Sequence, residues 1–252
     1  MSLYQRFAHF YHQGPYIHFS RRLADEIFPN MLEELNLQPK TLLDVACGEG
    51  TFAVAMAQRG LAVTGLDQSK AMLEIARLNA QEAWVSVRWI RKDMCKMRFE
   101  QQFDMLTCFF DSLNYLLKMS DLKAAFDGAF RALKPGGTYI FDMNTIYGLE
   151  VEWQKFPYYL QQERPDFIEF HANQCDYENA IASVRIIIFE KQGESWQRFE
   201  EVHRERGYSA GDVHLLLEAT GFEVQHIWGN PSDFRPLSLQ DGRMWIVASR
   251  PE

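Results

Sequence analysis

Over the first forty residues, apolar and aromatic positions recur at helical spacing, as in FSRRLADEIFPNMLEEL ending at NLQPK, and predict one or two leading helices. Short apolar runs then alternate with helical patterns: TLLDVA (41–46), TFAVAMAQRG, LAVTGLD, KAMLEIARLNA, VSVRWIR, FDMLTCFF, the helix DLKAAFDGAFRALKPGG and TYIFDMN. Continuous apolar strands alternating with helices predict an α/β fold, a doubly wound and mostly parallel Rossmann-like sheet with helices on both faces. From about Phe167 the period changes to two, with YEN and KQGES as hairpin turns, which predicts an antiparallel β meander inserted into that core. A helix (AGDVHLLLEATG) and two further apolar runs close the chain. No repeat or flexible linker divides it, so residues 1–252 are expected to form a single domain: leading helices over 1–38, a core over 39–145, the meander over 146–208, and a closing helix with strands over 209–252.

Gly48 and Gly50 sit where the first strand turns into a helix, at the carboxyl end of a strand, where open α/β sheets bind their ligands. Missing side chains there let a ligand approach backbone N–H groups and the positive end of the helix. Asp67 ends the second strand about 20 residues on, a position from which a carboxylate can hold a vicinal diol such as a ribose. The plain alternative is that the glycines make a tight turn and Asp67 caps the helix that begins at Ser69. With Ala53 in third place the motif also reads G-x-G-x-x-A, so a nicotinamide dinucleotide stays open beside S-adenosyl-L-methionine.

Charge and cysteine content narrow the classes. A formal charge of -8 from 26 Lys+Arg and 34 Asp+Glu argues against nucleic acid as a partner. No apolar run approaches the roughly 18 residues of a membrane span, and MSLYQRFAHFYHQ lacks a signal-peptide core, so a cytoplasmic protein without a membrane partner is expected. Cys47, Cys95, Cys108 and Cys175 are widely spaced and the seven histidines form no H-x-x-x-H pair, so no metal is expected.

LLDVACGEG closely resembles the h-h-D-h-x-x-G-x-G signature of class I S-adenosylmethionine-dependent methyltransferases, with Asp44 in its acidic position. The resemblance continues in order through VTGLDQSKAMLEIAR, RKDMCKMRF, FDMLTCFFDSLNYL and LKPGGTYIFDMNT, over roughly residues 40–145, and the GF at Gly221 and Phe222 looks like the family's tail. It implies S-adenosyl-L-methionine as cofactor, leaving as S-adenosyl-L-homocysteine. The loop from Ala46 through Gly48 to Gly50 would pass under the methionine moiety and Asp44 would hold that loop. Asp67 would take the ribose hydroxyls, Gln68 and Met72 would flank the adenine, Asp93 would take its amino group and Met94 would cover a ring face. Phe109 to Asp111 would line the methionine and open onto the acceptor. YQRFAHFYH is similar to the opening of small-molecule members whose leading helix covers the cofactor, which makes Tyr11 a lid residue, although His12 replaces the usual acid.

For the acceptor, Asp111, Asn114, Tyr115, Asp142 and Asn144 follow predicted strand ends, and each is equally placed to act as a cap or a loop hydrogen bond. DSLNY and FDMN resemble strings of small-molecule methyltransferases, including enzymes acting on amino sugars or glycine-like amines. The expected reaction is direct in-line methyl transfer to a small amine or hydroxyl compound. A nicotinamide oxidoreductase and a noncatalytic cofactor-binding regulatory module stand as alternatives. By resemblance the meander roofs the acceptor site, offering Glu169, His171 and Tyr177 as contacts and Phe167, Phe170, Ile186, Ile188 and Phe189 as apolar area. RWIRK and HRERGY are expected to be solvated strand ends.

Overall fold

The computed structural model describes residue 4 and residues 7–252; the start of the leading segment, residues 1–3 and 5–6, lies outside the described residues. Three leading helices, α1 (Phe7–Gln13), α2 (Tyr16–Arg22) and α3 (Phe28–Glu34), replace the expected one or two. A wide turn over Leu23–Ile27 joins the last two without breaking the helical path. The core then runs β1 (Thr41–Val45), α4 (Thr51–Gln58), β2 (Ala62–Asp67), α5 (Lys70–Glu82), β3 (Arg88–Arg91), β4 (Phe103–Cys108), α6 (Met119–Ala132) and β5 (Leu133–Asn144). Four strands follow, β6 (Tyr158–Arg164), β7 (Phe167–Asp176), β8 (Ile181–Gln192) and β9 (Ser195–Arg206). The chain closes with α7 (Ala210–Thr220), β10 (Glu223–Asn230), the short β11 (Arg235–Pro236) and β12 (Arg243–Ser249).

Leu42 and Leu43 are adjacent and both buried, because successive strand side chains leave on opposite faces and both faces are covered. Leu42 joins Phe28, Met56 and Met105 on one side of the sheet, and Leu43 joins Leu106, Phe126 and Leu217 on the other. The eight-stranded sheet has the order β11-β10-β12-β5-β4-β1-β2-β3. Strands β1 to β5 run parallel, and β12 lies antiparallel between β5 and β10. The chain winds outward from β1 in both directions, so the gap between β1 and β4 is the topological switch point where such sheets bind ligands.

Helix α6 stops at Ala132, before the KPGG segment expected to end it, and β5 starts at Leu133, paired with Phe103, rather than at Thr138. Pro135 has no N–H to continue the helix, and Gly136 adopts φ 74°. The second sheet, order β6-β7-β8-β9, begins at Tyr158, earlier than the period-two signal at Phe167. Its first strand, YYLQQER, lies at the sheet edge and is mostly half-buried or exposed, so it carries little apolar alternation.

The Trp89 ring occupies the space that a Cβ on Gly65 or Gly50 would need, 2.4 Å and 2.7 Å away respectively. These glycines let the β3 tryptophan pack beneath the β1–α4 turn. Gly65→Ala is therefore expected to lower unfolding free energy by about 1–3 kcal/mol, with partial recovery when Trp89→Leu is added. Urea melts check this; unchanged stability in the single variant would contradict the packing account.

Candidate active site

Asp44 lies level with Gly65 of β2 and Thr107 of β4 and is buried at the switch point. Thr107 Oγ1 donates to its Oδ1 at 3.0 Å. Burial pushes the Asp44 carboxyl up to about 7; the Thr107 hydrogen bond opposes this rise, and the Asp67 and Glu49 carboxylates add to it. After β1 the backbone enters the left-handed region at Ala46 (φ 55°), Gly48 (φ 54°) and Gly50 (φ 83°). A Cβ on Gly48 would meet nothing within 4 Å, so this glycine faces open cavity.

Asp67 ties the two strand-end loops together. Its Oδ2 accepts the Gly48 N–H at 3.0 Å and its Oδ1 the Ser69 N–H at 2.7 Å. Burial pushes its carboxyl above the ordinary range, against the pull of those N–H donors. The helix cap is Ser69, whose Oγ accepts the Met72 N–H at 3.3 Å. Glu49, buried in the loop, accepts from Thr51 Oγ1 at 2.7 Å and Asn79 Nδ2 at 3.0 Å, with His12 Nδ1 at 3.3 Å. The histidine that departs from the expected acid thus faces the loop acid.

A cavity of about 850 Å³ opens above this floor. Asp44, Ala46, Gly48 and Asp67 border it from the first two strands, Gln68 and Met72 from the second loop and α5, and Asp93, Met94 and Phe109 from the next two loops. Of the residues expected at the cofactor, Gly50 and Asp111 do not border it; Asp111 lines a neighbouring cavity, and the bare Cα of Gly50 serves the packing of Trp89 and Ala76. Asp93 Oδ1 accepts the Cys95 N–H at 2.9 Å, which leaves Oδ2 beside Lys96 at 3.3 Å on the rim.

A second cavity of about 570 Å³ adjoins the first, and Tyr4, Tyr11, Phe110 and Tyr115 border both. Phe110 (φ 62°) and Asp111 (φ 51°) are consecutive left-handed residues, a conformation that costs roughly 1–2 kcal/mol per residue outside glycine. Asp142 offsets that cost by accepting both of their N–H groups, at 2.6 and 3.2 Å, while Arg243 pairs with its carboxylate. Burial pushes Asp142 upward even with Arg243 beside it.

Of the residues expected at the acceptor, Asp111, Tyr115, Tyr11 and His171 line the second cavity. Asn114, Asp142 and Asn144 do not; they are buried and their polar atoms are engaged. Asn114 Nδ2 donates to the Asn144 and Arg206 carbonyls at 2.9 and 2.8 Å, and Asn144 Nδ2 bridges Asp111 at 2.6 Å and Glu205 at 2.8 Å. From the meander, Ile186 reaches the cavity, Phe167 and Ile188 are buried behind it, and Phe170 and Phe189 leave on the opposite sheet face. Tyr177 is exposed in the β7–β8 hairpin turn, and Glu169 is buried beside His171 at 2.7 Å without lining the cavity.

His203 and Glu205 were masked in the sequence by the arginines that alternate with them: HRERGY is not wholly a solvated strand end, since alternation turns both side chains inward at 1% and 3% exposure. Arg243, which pairs with Asp142 and lies 3.5 Å from Asp111, starts a strand about a hundred residues away from either, and no local motif marks it.

The floor over Gly48, the carboxylate at the end of β2 and the two buried acids at the loop, Asp44 and Glu49, fit S-adenosylmethionine, which carries a ribose diol and two cationic groups. A methyltransferase-domain family model matches residues 42–137. The crystal structure of an S-adenosylmethionine-dependent methyltransferase from Clostridium acetobutylicum ATCC 824 superposes over 100% of both chains with a TM-score of 0.83 and 25% identity. A methyltransferase of Geobacillus sp. (strain WCH70) is 28% identical over 211 residues, 84% of this chain and 85% of its own. The S-adenosylmethionine-bound amino pentose methyltransferase of Micromonospora echinaspora has the same fold, with a TM-score of 0.68 and 21% identity over 99% of this chain and 97% of that one. The sequence of its strand-to-helix turn, the order of its sheet and these similarities support a class I S-adenosylmethionine-dependent methyltransferase.

Proposed function

We propose that the protein moves the methyl group of S-adenosylmethionine, bound over Gly48, onto a small amine or hydroxyl compound held in the second cavity. The observation that carries this is the junction of the two cavities at Tyr4, Tyr11, Phe110 and Tyr115. At about 570 Å³, the second cavity is of metabolite size. Asp111, Glu152 and Glu205 line it beside several aromatic rings, and no lysine or arginine among the described residues does. Acids and π faces favour a cationic guest, so an amine suits this lining better than a carboxylate or phosphate compound. The amino pentose methyltransferase that shares the fold acts on a substrate of that chemistry.

In this reading Asp67 takes the ribose hydroxyls, Gln68 and Met72 flank the adenine, and Asp93 and Met94 meet its edge and face. Ala46, Gly48 and Phe109 enclose the methionine part, and Asp44 braces the loop. The cofactor brings a methyl group already activated on a sulfonium. The protein's own work is then to align the acceptor behind that methyl and keep water away, a task for Tyr11 from α1 and Phe110 from the strained turn, whose rings meet edge to face at the junction.

Asp67→Ala is expected to weaken S-adenosylhomocysteine binding by about 1–3 kcal/mol in isothermal titration; unchanged affinity in a folded variant would remove the ribose assignment. Acceptor class is decided by radiolabelled methyl transfer into metabolite extract, tRNA and protein. Label in the small-molecule fraction is expected, and label confined to macromolecules would overturn the reading.

A pH dependence follows from Asp44. Its folded carboxyl, raised to about 7, favours the neutral form, so the stability it contributes is full below its unfolded value of about 3.9 and is lost as pH rises through about 7. A bound cation favours the charged form instead, so cofactor binding releases a proton near neutrality. S-adenosylmethionine affinity should accordingly rise several-fold from about pH 6 to about pH 8, and Asp44→Asn should flatten that slope. An affinity that falls over this window would contradict the assignment.

A further inference from the structure

Tyr4 and Tyr115 stand where the two cavities meet, with their hydroxyls 2.8 Å apart. The Tyr115 hydroxyl lies 3.0 Å from Nδ1 of His203, a buried residue of β9. His203 Nε2 faces Glu201 Oε2 at 3.5 Å and meets no hydrogen-bond partner among the described residues. The same carboxylate accepts the backbone N–H groups of Tyr4 at 2.9 Å and Phe7 at 3.2 Å. Burial pushes Glu201 up, but His203 and those N–H donors hold it below the ordinary carboxylate range, so it remains charged beside the imidazole.

Among the described residues, Glu205, two residues along the same strand, Asp111 and Glu152 are the acids that share the cavity with His203, and no lysine or arginine lines it. The second histidine of this cavity is differently placed. His171 Nε2 is engaged by Glu169 at 2.7 Å and Tyr16 at 3.1 Å, and its Nδ1 by Tyr159 at 2.9 Å, so both ring nitrogens are spent. His203 is the one with a hydroxyl path to the junction on one nitrogen and an orienting carboxylate on the other, the arrangement by which a third group aims a histidine base.

We propose that His203 is the base that takes the proton shed by the methyl acceptor, reached through the Tyr115 hydroxyl, with Glu201 as its positioning residue. This rests on the reading of the second cavity as the acceptor site. The acceptor lone pair forms the bond to the methyl carbon while the carbon–sulfur bond breaks and its electron pair stays on sulfur. The proton of the attacked N–H or O–H passes to the Tyr115 oxygen as the Tyr115 hydroxyl proton passes to Nδ1 of His203. The resulting imidazolium is held beside Glu201 until its proton leaves to water. Burial raises both phenols above their ordinary value, which keeps them as hydroxyls able to relay a proton rather than phenolates that would keep one. The Tyr4 hydroxyl, bonded to that of Tyr115, fixes its orientation.

Two measurements on the full chain test this. In the first, ¹⁵N-histidine spectra of the S-adenosylhomocysteine complex are followed from about pH 5 to about pH 9. The signal missing from His203→Gln should titrate at Nδ1, and its midpoint should fall in Glu201→Gln, where a negative neighbour is lost. A His203 that does not titrate overturns the relay whether or not any acceptor turns over.

In the second, methyl transfer from S-adenosylmethionine to a panel of aliphatic amines, amino sugars and phenols is measured against pH. His203→Gln should lose about 10²-fold or more in kcat together with the acid limb of the parent profile, while KM for the cofactor is kept. Tyr115→Phe should lose kcat in the same way. A His203→Gln enzyme with the parent rate and profile overturns the proposal. A panel in which nothing is methylated, with His203 titrating normally, would instead overturn the small-acceptor reading of the cavity.

Discussion

The buried carboxylate of Asp142 fixes where the two cavities meet. It accepts the N–H groups of Phe110 and Asp111, two neighbouring residues in the left-handed region, and is itself paired with Arg243. Without that acceptor a non-glycine pair has little reason to adopt this turn. With it, Phe110 points between the cavities and Asp111 into the second, where Asn144 ties it to Glu205. The polar groups behind the wall are thus consumed in shaping it, and the chemistry is left to side chains in front.

The roof depends on a comparable economy of charge. Glu201 of β9 and Ser69 at the start of α5 grip the leading segment from two sides, the first through the Tyr4 and Phe7 N–H groups and the second through the Tyr4 carbonyl at 3.2 Å. An apolar cluster of Phe7, Tyr11, Met72, Phe167 and Ile186 fills the space between α1, α5 and the second sheet. The floor of the first cavity and the roof of the second therefore share one packed layer.

Much of this was legible from the chain. Parallel strands buried on both faces read as unbroken apolar runs, and the ends of β1 and β2 with the turn after β1 carried Asp44, Gly48 and Asp67 in the order of the family signature. What stayed hidden was set by pairing between distant segments. Gly50 looked like a ligand contact because its partner, Trp89, enters from another strand. Asn114, Asp142 and Asn144 looked like acceptor contacts because nothing local showed that Arg243, Glu205 and the Arg206 carbonyl would engage them. His203 and Glu205 alternate with arginines, and a count of charge conceals what a period of two places inside.

The central claim is that methyl donor and acceptor meet at the Tyr4, Tyr11, Phe110 and Tyr115 junction. A crystal structure of the S-adenosylhomocysteine complex tests it most directly. The account predicts the adenosyl group over Gly48 and Asp67 with the sulfur beside Phe110, facing the second cavity. A sulfur turned from that junction toward the Lys92 to Lys96 rim, with the second cavity walled off from it, would contradict the account.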